Sequence, residues 1–223
     1  MASINKIMSS ESKREDFNFE TFLSLIPERI KAIILTSNTN LDLSANTIKR
    51  LKSLPQCIFV YHNMATNFKQ LRCYYPRDAG EMLFIRGKGF GYWGLQGNVG
   101  EPFYATDPKI PFYGTFALHG KLDLSQRKDI TKIDSSWLQA IEEESSYPID
   151  QKPSTGFYTR KIFNNVQKCR PTLEIHTLGF SSDPNYWQQR TISHSGAFEA
   201  EDLLNSERSQ LHHPLDFIPS MLS

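Results

Sequence analysis

A strand, a helix and a second strand follow one another early in this chain, and this unit constrains the fold more than any other feature. Lys31-Ala-Ile-Ile-Leu-Thr-Ser37 is a short β-branched run of the kind that fills a strand covered on both faces. After the polar turn Asn38-Thr-Asn40, Ser44 is placed to cap a helix with apolar positions at Ile48, Leu51 and Leu54. Pro55 ends it, and Cys57-Ile-Phe-Val-Tyr61 reads as the next buried strand. Strand, helix and strand within about thirty residues form a βαβ unit, which implies a mostly parallel sheet.

The remaining pattern extends that unit. Glu81–Arg86 and Thr172–Leu178 read as further parallel strands, and Asp134 caps a helix carrying Trp137, Leu138 and Ile141. A helix with interrupted apolar spacing is expected between Phe17 and Ile30, an amphipathic one from Thr155 to Lys168, and a last one from Phe198 to Asn205. The expected architecture is α/β: one Rossmann-like, mostly parallel sheet flanked by helices. Residues 1–16 are expected to be a flexible N-terminus, 17–210 the single domain, and 211–223 a loosely held tail.

Composition narrows the function. The 223 residues hold 25 Lys+Arg and 24 Asp+Glu, a net charge of +1, so the basic excess expected of a nucleic-acid or anionic-membrane partner is missing. No apolar run is longer than the five residues Cys57–Tyr61, far short of the about 20 residues that cross a bilayer. No apolar h-region marks a signal peptide, so a soluble, cytoplasmic chain without a transmembrane segment is expected. Cys57, Cys73 and Cys169 are odd in number and lack metal-site spacing, which fits a reducing compartment and buried small side chains.

Candidate sites follow from sheet topology, because ligands of open α/β sheets bind outside the carboxyl ends of the strands. Ser37-Asn38-Thr39 follows the first strand and Asn63-Met-Ala65 the second, offering amide groups to a polar ligand or serving simply as turns. Pro153-Ser154-Thr155-Gly156 opens an amphipathic helix, where free N–H groups suit a carboxylate or phosphate. Gly89-Phe-Gly-Tyr-Trp-Gly94 matches GxGxxG formally, but the residues after it cannot open a helix, so a loop is the better reading. Its aromatics, with Tyr104, Phe112 and Tyr113, offer an acceptor-binding wall. Tyr186-Trp187 precedes His194, which sits in a Ser/Gly turn where an imidazole can act as a general base; Glu199 lies five residues on.

In this order, the signals resemble the animal-type sialyltransferase family. Ser37-Asn38-Thr39 is similar to the start of its long motif and Asn63-Met-Ala65 to the end. Pro153 to Gly156, leading to Gly179-Phe180, resembles its short motif, Tyr186-Trp187-Gln188 its tyrosine cluster, and His194 with Glu199 its His-x4-Glu. The matches run from about residue 33 to 204, with nothing recognisable between 66 and 150. Departures are Ser37 where the family has Gly, Asn185 in place of a His, and no first partner for the family's disulfide, although Cys169 falls near its second position.

The resemblance implies a short, anchorless relative on a variant of the glycosyltransferase A fold: an inverting, metal-independent enzyme without a cofactor, whose substrate is a CMP-activated acidic sugar, sialic acid or Kdo. The acceptor would be a glycan or glycolipid hydroxyl. By that analogy Asn38 and Asn63 face phosphate and ribose, and Ser154, Thr155 and Gly156 meet the donor. Thr39, Tyr186 and Glu199 complete the donor-binding set, and His194 deprotonates the acceptor, an effect worth about 10²–10⁴-fold in rate. Two alternatives stay open: another nucleotide-dependent transferase, and a non-catalytic carbohydrate- or protein-binding module on the same fold.

Overall fold

The computed structural model describes residues 17–37, 41–63, 67–86, 109–118, 130–181, 195–215 and, for the backbone alone, 217–219. The expected N-terminal segment 1–16 lies outside these residues. Within them, six helices surround a seven-stranded sheet, an α/β single-domain fold of the Rossmann-like kind.

The sheet is built from β1 (Ala32–Thr36), β3 (Cys57–His62), β4 (Gly80–Ile85), β5 (Phe112–Ala117), β6 (Ile130–Lys132), β7 (Glu174–Leu178) and β8 (His213–Leu215), in the order β6-β5-β4-β3-β1-β7-β8. Every pairing in it is parallel. A short antiparallel pair, β2 (Leu41–Leu43) and β9 (Phe217–Pro219), stands beside it. β1, β3 and β4 are buried along their whole length, which explains why their sequences are continuous apolar runs rather than alternating ones.

The period of two still sorts the side chains. Ile33 and Leu35 join the layer under α1 (Phe19–Leu25), α4 (Ser135–Glu144) and α5 (Thr155–Cys169). Ala32 and Ile34 face the opposite layer, with Leu51 of α2 (Ala45–Ser53) and Leu71 of α3 (Phe68–Arg72). α6 (Gly196–Arg208) buries Ala200 and Leu203. The two expected caps are present, Ser44 Oγ accepting from Thr47 N and Asp134 from Ser136 N, and Ser154 caps α5 by accepting from Phe157 N.

Two expectations change. Phe112 and Tyr113, read as part of an aromatic wall, belong to β5, where Glu81 and Phe112 are register partners. Residues 211–223, read as a loosely held tail, supply two strands: β8 extends the main sheet beside β7, and β9 pairs with β2. The short polar strand is held by a buried Leu215 and by a hydrogen bond from the His212 ring to Asn164 Oδ1 at 2.7 Å, neither of which has a local signature. No helix among the described residues is long and apolar enough to cross a membrane.

Topology points to a candidate site. From β1 the chain adds β3 to β6 on one side, then returns to add β7 and β8 on the other, so strand order reverses between β1 and β7. The crevice outside the carboxyl ends at such a reversal is where ligands of open α/β sheets bind. The first turn of α5 sits at this edge, hydrogen-bonded to residues just past β3 and β4.

Candidate functional site at the start of α5

At the carboxyl edge, β1, β3 and β4 are each followed by a polar residue tied to its neighbours. Ser37 N donates to Leu178 O at 2.9 Å, joining β1 to β7. Asn63 takes a left-handed conformation, φ 47°, to turn the chain after β3. Its Oδ1 accepts from Arg86 N at 3.0 Å, and its Nδ2 donates to Thr155 Oγ1 at 3.3 Å. One side chain thus joins the ends of β3 and β4 to the start of α5.

Beneath this lies His62, 3% exposed. Its Nδ1 is 2.5 Å from the Thr36 carbonyl, which only accepts, so Nδ1 carries the proton. Nε2 then accepts from Thr159 Oγ1 at 2.7 Å. Burial pushes this imidazole down to about 4, so the ring is neutral at pH 7 and acts as a brace between β1, β3 and α5.

The start of α5 is organised around Glu199 of α6, which is 2% exposed. Its Oε1 accepts from Ser154 N at 2.8 Å and from Tyr147 OH at 2.9 Å, and its Oε2 accepts from Ser154 Oγ at 2.5 Å. Tyr147 OH in turn accepts from Ser195 N at 3.1 Å, so the first turns of α5 and α6 are linked through a phenol and a carboxylate. Burial and the adjacent Glu199 charge push the Tyr147 phenol well above its ordinary value, so it stays protonated and donates.

Gly156 and Phe180, both parts of the short-motif resemblance, meet directly. A Cβ on Gly156 would lie 2.7 Å from Phe180 Cε1, so glycine at this position permits close packing between α5 and the segment after β7. Gly179 has φ 78°, which turns the chain out of β7 so that Phe180 can pack back.

Five of the nine expected site residues are therefore located. Asn63, Ser154, Thr155, Gly156 and Glu199 converge at one end of α5. Their roles differ from simple ligand contact. Glu199 is expected to bind donor, but its oxygens are spent on Ser154 and Tyr147, and its burial keeps it behind the surface. Ser154 spends its hydroxyl proton on Glu199 and accepts from Phe157 N. Asn38, Thr39, Tyr186 and His194 lie outside the described residues, as does the Gly-rich loop from 87 onward.

No family model, curated protein or solved structure matches the chain. The site must be read from its own chemistry. The N–H groups of Thr155 and Gly156, at the positive end of a 15-residue helix, have no acceptor among the described residues. Arg86 stands beside them, its NH1 donating to Pro153 O at 2.8 Å. Sequence reasoning passed over Arg86 and Tyr147. Arg86 had a signal, being the first polar residue after the apolar run Met82–Ile85; Tyr147, in a turn between helices, had none.

Proposed function

We propose that this chain is a glycosyltransferase that moves sialic acid, or a similar acidic sugar such as Kdo, from a CMP-activated donor to a glycan hydroxyl, inverting the anomeric centre without a metal. One observation carries the reading: Ser154 and Glu199, picked out as parts of separate motifs, meet through two hydrogen bonds at the carboxyl edge of a parallel sheet. The start of α5 there offers helix N–H groups to an anion, and the donor carries two anionic groups, a phosphate and a carboxylate.

In this reading Ser154 and Glu199 are positioning residues that fix the entry angle of α5. Thr155 and Asn63 lie at the ligand-facing turn, and His194, next in sequence to Ser195, removes the acceptor proton as the hydroxyl oxygen attacks the anomeric carbon. The C–O bond to CMP breaks with its electron pair passing to the phosphate oxygen, and CMP leaves as the anion. A phosphate leaving group of this kind calls for hydrogen-bond stabilisation rather than for strong electrophilic help.

The test is CMP release from CMP-sialic acid and from CMP-Kdo with EDTA present. Turnover of either donor supports the reading; failure of both to bind at millimolar concentration defeats it. Binding of glycans without CMP would favour the non-catalytic module instead. His194→Ala is expected to fold and bind CMP with turnover down about 10²–10⁴-fold.

A further inference from the structure

Among the described residues at the carboxyl edge, the guanidinium of Arg86 is a strongly polar group whose chemistry the site has not used. It is half-buried at the end of β4, and its plane is set by the bond from NH1 to Pro153 O. No carboxylate among the described residues comes within ion-pair distance of it, and its other N–H groups have no acceptor there. Burial pulls its pKa down, while the charges of Glu199 and Glu142 pull it back up.

Those neighbours hold the charge without consuming the donors. Glu199 accepts three hydrogen bonds from Ser154 and Tyr147, and Glu142 accepts from Tyr158 OH. A half-desolvated cation lacking a bonded anion is costly unless an anion arrives. A guanidinium offers a planar fork of parallel N–H donors, the geometry that a phosphate or carboxylate accepts in bidentate fashion. The same guanidinium lies beside the start of α5, whose partial positive charge favours that ligand as well.

We propose that Arg86 is the anion anchor of this site, binding one oxyanion, the phosphate or the carboxylate of an acidic nucleotide sugar. The identity of that anion rests on the donor reading given above; the anchoring role of Arg86 does not. It is a specificity-determining residue: a nucleoside lacking the phosphate, or a sugar lacking the carboxylate, leaves the fork unpaired.

The experiment is calorimetric titration of the full chain with CMP, cytidine, inorganic phosphate and N-acetylneuraminate, on the wild type, Arg86→Gln and Arg86→Lys, with thermal melts of each. If the anchored group is the phosphate, Arg86→Gln weakens CMP by about 10- to 100-fold and leaves cytidine unchanged. Arg86→Lys, which keeps the charge and loses the fork, falls between. If it is the carboxylate, N-acetylneuraminate shows that loss and CMP does not. Equal affinity of wild type and Arg86→Gln for CMP and for both simple anions overturns the proposal; should the Gln variant fail to fold, equal affinity in Arg86→Lys does so. If the wild type takes neither CMP nor cytidine, the donor reading fails on its own. Phosphate and N-acetylneuraminate then decide Arg86, whose anchoring role is overturned if neither binds saturably or if either binds without depending on it.

Discussion

Ser154 shows how much a single hydroxyl can be asked to do. Its Oγ donates to Glu199 Oε2 and accepts from Phe157 N, so it caps α5 and satisfies a buried carboxylate at once. Removing it deletes a cap worth about 1 kcal/mol. It also strands a charged acceptor whose hydrogen bond contributes about 1.5–3 kcal/mol. Ser154→Ala is therefore expected to lower unfolding free energy by about 2–4 kcal/mol in a urea titration, with Ser154→Thr close to wild type. A loss below about 1 kcal/mol for the alanine variant would mean that Glu199 is satisfied some other way. Glu199, for its part, acts through Ser154 and Tyr147, and the phenol passes the same order on to Ser195 at the start of α6.

At the scale of elements, the sheet's central strands and its capped helices were legible because their signals are local. The run Ala32–Leu35, the caps Ser44, Asp134 and Ser154, and the apolar stripe of α5 each announce an element without reference to anything distant. The candidate site was legible to the same degree: Ser154 and Glu199 were visible as motif residues, whereas Tyr147 and His62, which brace them, are ordinary residues made important by long-range contacts. β5 and β8 were not legible for the matching reason. β5 begins in Phe112-Tyr113-Gly114, an aromatic and glycine sequence with no alternation, and only its place beside β4 makes it a strand. β8 is His213-Pro214-Leu215, and a proline there fits an edge strand alone. Deleting residues 211–223 removes that edge together with the buried Leu215 and the His212–Asn164 bond. Burial of one leucine and one hydrogen bond together contribute about 3 kcal/mol, so the melting temperature is expected to fall by about 6–12 °C. An unchanged melting temperature would return the segment to the status of a loose tail.

The whole molecule carries a consequence of how its histidines are spent. His62 braces β1 and β3 against α5, His176 sits on β7 with its Nε2 3.0 Å from Glu174 Oε2, and His212 ties the chain before β8 to α5. Burial is the leading cause in each case, holding His62 and His176 down to about 4 and His212 to about 3. At neutral pH the His176–Glu174 contact is therefore a hydrogen bond from a neutral ring rather than an ion pair. Their ordinary value is 6.5, so between about pH 4 and 6.5 the unfolded chain binds protons that the folded chain refuses. Stability then rises with pH through that window and is lost as pH falls below 6.5. From pH 7 to pH 5 the loss is about 2 kcal/mol for each histidine, or about 6 kcal/mol for the three, a large part of the 5–15 kcal/mol that holds a typical domain together. Urea midpoints measured at pH 7, 6 and 5 are expected to fall steadily, and His212→Asn is expected to flatten the slope by about a third. A midpoint that stays constant across that range would show that these rings are charged or exposed in the folded chain.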